Sequence, residues 1–118
     1  MRMDIVLNTD DQKDFGIRLS ESVWTNCSVI HKCDNIWMVG GLYVPSSQRG
    51  FGWARKTLNR VIYWADENQF ILHLNPSPFD DGIDEDRLVE FYRGVDFEWI
   101  GEKLMARNPE PSTKFGFY

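Results

Sequence analysis

The chain has 118 residues, which suits one domain around one core and leaves no room for a second. Hydrophobic residues make up 42% and aromatics 14%, five of them tryptophan, so a core can be filled and global disorder is excluded. The net charge of −5 argues against broad nucleic-acid binding, which needs Lys and Arg massed on one face.

The N-terminus MRMDIVLNTDD lacks the apolar centre of a secretion signal, and Met3 to Leu7 reads as a first strand. Asp10 then offers an N-cap for a helix carrying Phe15, Leu19 and Val23 at i, i+4 and i+8, with Gly16 against it. Ser28 to Lys32 and Ile36 to Val44 flank the turn-like Cys33-Asp34-Asn35 and predict an antiparallel hairpin with a long, central second strand. That second strand is the longest apolar run and falls far short of the roughly 20 residues of a membrane helix. The two cysteines, Cys27 and Cys33, show no zinc spacing and are too few for a disulfide scaffold, which points to reduced thiols in a cytoplasm.

After Pro45 comes SSQRGFGW, and then Ala54, Leu58, Val61, Ile62 and Ala65 form one helical stripe. Phe70 to Leu74 follows as a strand, so the unit is βαβ with a parallel crossover. NPSPFDDG reads as a loop, and Asp84 caps a short helix through Leu88, Phe91 and Tyr92 with Gly94 at its C-cap. Phe97 to Met105 reads as paired strand segments broken at Gly101, followed by the aromatic tail Phe115 to Tyr118. Charge is divided. Arg49, Arg55, Lys56 and Arg60 cluster without an acid, whereas Asp80, Asp81, Asp84, Glu85, Asp86 and Glu90 face only Arg87. The acidic run reads either as a solvated helix N-terminus or as a rim that attracts a cationic ligand.

A glycine-bearing turn that opens a helix leaves several N–H groups aimed at one spot, and the helix dipole makes that spot an anion site. Gly50 and Gly52 would let a phosphate close on the backbone, with Arg49 at the rim. A P-loop is excluded because no Lys-Ser or Lys-Thr pair follows Gly52 at the required spacing, and a dinucleotide fingerprint because Arg55 stands where its third glycine belongs.

The stretch LYVPSSQRGFGWARKTL, Leu42 to Leu58, resembles the strand, Q/R-x-x-G-x-G/A loop and helix of the GCN5-related N-acetyltransferase (GNAT) family. LVEFYRGVDFEW, Leu88 to Trp99, resembles the family's late helix and strand, and Met105-Ala106-Arg107 its last-strand ending. The resemblance spans about Ile36 to Arg107 and implies an α/β fold with a mixed, splayed central sheet and flanking helices. On this reading the chain is a single domain with a short N-terminal part (1–35), an acetyl-CoA-binding core (36–107) and a tail (108–118).

The resemblance further implies direct acetyl transfer from acetyl-CoA to a primary amine, without a metal. Leu42, Tyr43 and Val44 would pair with the pantetheine arm, and the loop Gln48, Arg49, Gly50, Phe51, Gly52 and Trp53 would hold the pyrophosphate. Tyr92 corresponds to the family's general acid for the departing thiolate, although a buried aromatic beside Phe91 is its plain alternative. Asn75 is at the place of an asparagine that family members use. Three residues depart from the pattern: Ser47 replaces Gln or Arg, Leu88 a small residue, and Asp96 a glycine. Ile36 to Val44 holds no acid to serve as a base; His31 or His73 could relay a proton, although a lone strand histidine is more often structural. The expected acceptor is a cationic amine, either a small molecule or a protein lysine or N-terminus, with no membrane partner and a homodimer left open. The alternative is a catalytically inactive domain of this type that binds a partner.

Overall fold

The computed structural model describes residues 3–8, 11–76 and 84–111. Strand β1 (Met3–Asn8) pairs antiparallel with β2 (Gln12–Ser20), so the helix expected around Phe15 is a strand. The spacing i, i+4 is also an even spacing, so Phe15 and Leu19 share one face of a strand as readily as of a helix. Ile17 decides between the two. It lies two residues from Phe15, and both side chains are buried at 4% exposure, while Gly16 between them disfavours a helix by about 1 kcal/mol. The proposed cap Asp10 lies outside the described residues, as do most of the loop after Asn75, the acids Asp80 and Asp81, and the aromatic tail.

The short β3 (Val23–Trp24) and then β4 (Asn26–Cys33) both pair with β2, and the break between them is Thr25. Strand β5 (Ile36–Tyr43) completes the expected hairpin, with Asp34 at φ 48 in its turn. Helix α1 (Trp53–Asn68) buries Leu58, Val61, Ile62 and Ala65 as its stripe predicts, together with Thr57, which the stripe omits. It leads into β6 (Ile71–Leu74), parallel to β5. Helix α2 (Glu85–Arg93) is capped by Asp84, whose carboxylate accepts from the Asp86 N–H at 3.0 Å. Strands β7 (Glu98–Gly101) and β8 (Leu104–Arg107) form the last hairpin, turning at Glu102 and Lys103, just after the expected break.

The mixed sheet runs β1-β2-β4-β5-β6-β8-β7, with β3 against β2. Both helices lie on one side of it. Phe15 touches Trp64 of α1 with ring centroids 5.4 Å apart, and Leu88, Val89, Phe91 and Tyr92 of α2 pack into the same core as Leu58 and Val61. At the end of α1, Asp66 binds the buried Arg107 guanidinium through two bonds of 2.7 and 3.3 Å, which ties β8 to the helix. No described helix covers the opposite face. Among the described residues no helix is long and apolar enough to cross a membrane.

Candidate functional site

Strands β5 and β6 pair only at Ile36–Ile71, Trp37–Leu72 and Met38–His73. Beyond Met38 they diverge, leaving the β6-facing backbone of Val39 to Tyr43 without a strand partner among the described residues. On its other edge β5 carries a bulge: Ser28 pairs with Gly41 and Val29 with Val39, so Gly40 is the extra residue. A bulge sharpens local twist and thereby re-aims the strand end. The fork that results is the splay expected of this sheet.

After Tyr43 the chain passes through Pro45 and a 3₁₀ turn, Ser46–Gln48, into two glycines with positive φ, Gly50 at 89° and Gly52 at 82°. An L side chain is strained at such angles, which explains glycine at both positions. A Cβ built on either would meet nothing within 4 Å, so the space in front of the loop is open. Gly52 is the N-cap of α1, no side chain caps that helix, and its first internal bond runs from the Lys56 N–H to the Gly52 carbonyl. The N–H groups of Trp53, Ala54 and Arg55 therefore have no acceptor within the helix. Arg49 donates from Nε to the Val44 carbonyl at 3.0 Å, so its guanidinium braces the strand end against the loop.

These elements enclose a cavity of about 1330 Å³. Leu42, Tyr43, Val44, Gln48, Arg49, Gly50, Gly52, Trp53 and Tyr92 all line it. Phe51 and Asn75 do not: Phe51 is 67% exposed, and Asn75 is exposed at the end of β6. Arg55, Lys56, Asn59 and Arg87 line it as well; the basic cluster in the sequence signalled Arg55 and Lys56, and nothing there singled out Asn59 or Arg87. Lys56 lies 4.6 Å from the Trp53 ring and Arg55 5.4 Å from the Phe91 ring. Gly94 makes room for Arg55, since a Cβ there would come 3.0 Å from its guanidinium; its backbone is right-handed, so its role is space and not φ.

Tyr92 is buried, with Phe91 and Phe97 packed edge-on against its ring. Burial, and secondarily the buried Cys27, push its phenol up to about 12, so it is neutral across the physiological range. Its carbonyl accepts from the N–H groups of both Val95 and Phe97 at 3.0 and 3.1 Å. That turn requires a left-handed residue, and Asp96 supplies it at φ 75. Asp96, the departure from glycine at this position, thus holds a conformation that favours glycine. The Cys27 thiol is likewise pushed up to about 12, first by burial and then by Asp14.

Neither histidine lines the cavity. His73 stands at the last rung of the fork, its buried Nδ1 without a partner, and burial followed by Lys32 lowers its pKa. His31 is at the hairpin end, with Nε2 2.8 Å from the Asp34 carbonyl oxygen. Among the described residues Asp84 is the single acid that lines the cavity.

No protein-family model and no curated protein sequence matches this chain. Solved structures do. The anti-CRISPR protein AcrVA5 is similar with a TM-score of 0.63 and 23% identity over 79% of this chain and 96% of its own. An aminoglycoside 6′-N-acetyltransferase complexed with coenzyme A gives 0.70 and 14% over 88% and 77%. An acetyltransferase of the GNAT family from Staphylococcus aureus Mu50 gives 0.64 and 16% over 84% and 68%. At these identities the likeness establishes the fold, that of the GNAT acyltransferases.

Proposed function

We propose that this chain, built on the GNAT fold, is an acetyl-CoA-dependent N-acetyltransferase acting on a primary amine. One observation carries the reading: a splayed strand, an uncapped glycine-opened helix N-terminus and a buried neutral tyrosine line a single cavity. The residues fit the cofactor. Open space in front of Gly50 and Gly52 suits a pyrophosphate facing the N–H groups of Trp53 to Arg55, and the unpaired β5 backbone suits the amides of a pantetheine arm.

Acetyl-CoA supplies the activated acetyl thioester: the amine nitrogen bonds to the carbonyl carbon, the C–S bond breaks, the nitrogen loses a proton and the sulfur gains one. Unpaired N–H groups of β5 can polarise the carbonyl oxygen. Tyr92 offers a hydrogen bond to the sulfur, whose proton comes from water. With its phenol at about 12 and an ordinary thiol near 8.5, full transfer runs uphill, so Tyr92 acts chiefly as a hydrogen-bond donor to the departing sulfur. Among the described lining residues Asp84 is the one carboxylate that can take the acceptor's proton, and water is the other route for it.

The lack of an acid on Ile36 to Val44 favours a second reading, a domain that binds the cofactor without turnover. Calorimetry with acetyl-CoA followed by a free-thiol release assay over lysine peptides, polyamines and aminoglycosides separates the two. Binding with thiol release supports the enzyme, binding alone supports the second reading, and absence of binding removes both.

A further inference from the structure

Resting on the acetyl-CoA reading above, we infer that Arg107, at the end of the last strand, is a positioning residue for Tyr92: its guanidinium holds the turn that fixes the tyrosine in the cavity wall. Arg107 itself stands outside the cavity lining. Register places it beside Leu72 on the helix side of the sheet, two residues from the fully buried Met105, and it is 4% exposed. A guanidinium at such a place costs desolvation, and an apolar residue there, like Leu72 and Met105, would fill the volume without that cost. What an apolar residue lacks is direction.

The guanidinium is a planar fork whose Nε and Nη groups donate along different lines at once. Nη1 and Nη2 donate to the Asp66 carboxylate of α1 at 2.7 and 3.3 Å, and Nε donates to the Val95 carbonyl at 3.0 Å. The carboxylate is held in turn by the Glu110 N–H at 3.1 Å.

Val95 leads directly to the tyrosine. Its N–H donates to the Tyr92 carbonyl, and Phe97 donates to the same carbonyl while its ring packs edge-on against the Tyr92 ring, with centroids 5.8 Å apart. Between them Asp96 sits at φ 75, a conformation that is unfavourable for a non-glycine residue and persists only where its surroundings over-determine it. Helix α2 has nine residues, too few to hold its last turn without tertiary support. The charge-assisted bond from Arg107, roughly twice as strong as a neutral one, supplies that support. One side chain therefore ties the tyrosine to α1, the helix whose N-terminal N–H groups face the cavity.

The test uses Arg107→Lys, which keeps a charge for Asp66 and removes the fork, and Arg107→Met, which keeps neither. In both, kcat for thiol release from acetyl-CoA should fall about tenfold, with acetyl-CoA affinity by calorimetry within about twofold of the wild type. The loss should stay below the roughly 10²-fold of Tyr92→Phe, because a positioning residue removes at most what the tyrosine supplies. In a Tyr92→Phe background Arg107→Lys should have no further effect on kcat. A purely structural ion pair predicts otherwise, and wild-type kcat in Arg107→Lys, or losses that multiply in the double variant, overturns the inference. A second readout needs no turnover. In protein labelled with 3-fluorotyrosine, the fluorine line of Tyr92, assigned by its loss in Tyr92→Phe, should shift toward the free amino acid or split in Arg107→Lys. A line left in place overturns the inference whether or not the wild type releases thiol. A shifted line in a protein that releases no thiol upholds the ordering of Tyr92 by Arg107 and overturns the enzyme reading alone.

Discussion

The hydroxyls of Thr25 and Thr57 lie 2.7 Å apart in the protein interior and join the break between β3 and β4 to the N-terminal part of α1. The Ile17 N–H donates to Thr25 Oγ1 at 2.9 Å, and Thr57 Oγ1 donates to the Trp53 carbonyl at 2.8 Å. Thr25 is thus the donor between the two. Both residues are at most 1% exposed, so neither hydroxyl has water as an alternative partner. The chain of bonds fixes the helix end whose free N–H groups face the cavity.

Thr57→Val keeps the volume and removes the acceptor, leaving the Thr25 hydroxyl unsatisfied. Urea denaturation should show a loss of about 1–3 kcal/mol. The Thr25→Val, Thr57→Val double variant should lose less than the sum of the singles, because the two sites share one interaction.

Asp96 holds a left-handed conformation that costs a non-glycine residue about 1–2 kcal/mol, somewhat less for Asp, whereas glycine carries a larger unfolded-state entropy. Asp96→Gly should be neutral or stabilising by under about 1 kcal/mol, and Asp96→Val should destabilise by more than about 1 kcal/mol. Thermal melts of the pair check both signs.

The sequence made some features plain and hid others for identifiable reasons. The hairpin through Asp34, the stripe of α1 and the parallel strand after it were legible because apolar spacing and turn chemistry agree there. The strand at Phe15 was not, because four is a multiple of two and the apolar spacing served both periods. Thr57 was missed since a threonine on a helix reads as polar surface, and its partner lies 32 residues away in sequence. Asp96 departs from the family's glycine in type yet holds a left-handed φ of 75°, which is visible only in backbone angles. Among the site residues, nine of the cavity positions were readable from two motifs.

Alkaline pH should destabilise the protein in a predictable window. Cys27 and Tyr92 both titrate near 12 when folded, above their ordinary values of 9.0 and 10.0. Their burial is favourable in full below pH 9, and stability declines as the unfolded thiol and then the unfolded phenol ionise, until the folded groups follow near pH 12. Cys27→Ala should flatten the part of the decline that begins near pH 9 in denaturation curves taken across pH 8 to 11.

If Tyr92 donates a hydrogen bond to the departing sulfur, Tyr92→Phe should lower kcat by about 10²-fold, the low end for acid–base groups, with acetyl-CoA affinity nearly unchanged. Unchanged turnover would assign the ring to packing against Phe97 alone.

The reading of the cavity rests on backbone groups at the mouth of α1, and calorimetry with acetyl-CoA on Gly52→Val and Arg49→Ala tests it most directly. A Cβ at Gly52 enters the open space and strains a φ of 82°, so binding should be lost by about 100-fold or more. Arg49→Ala should cost only about fivefold, because its Nε serves Val44 and the amides form the cradle. Equal losses in the two variants, with both folded by their melting curves, would contradict a backbone cradle.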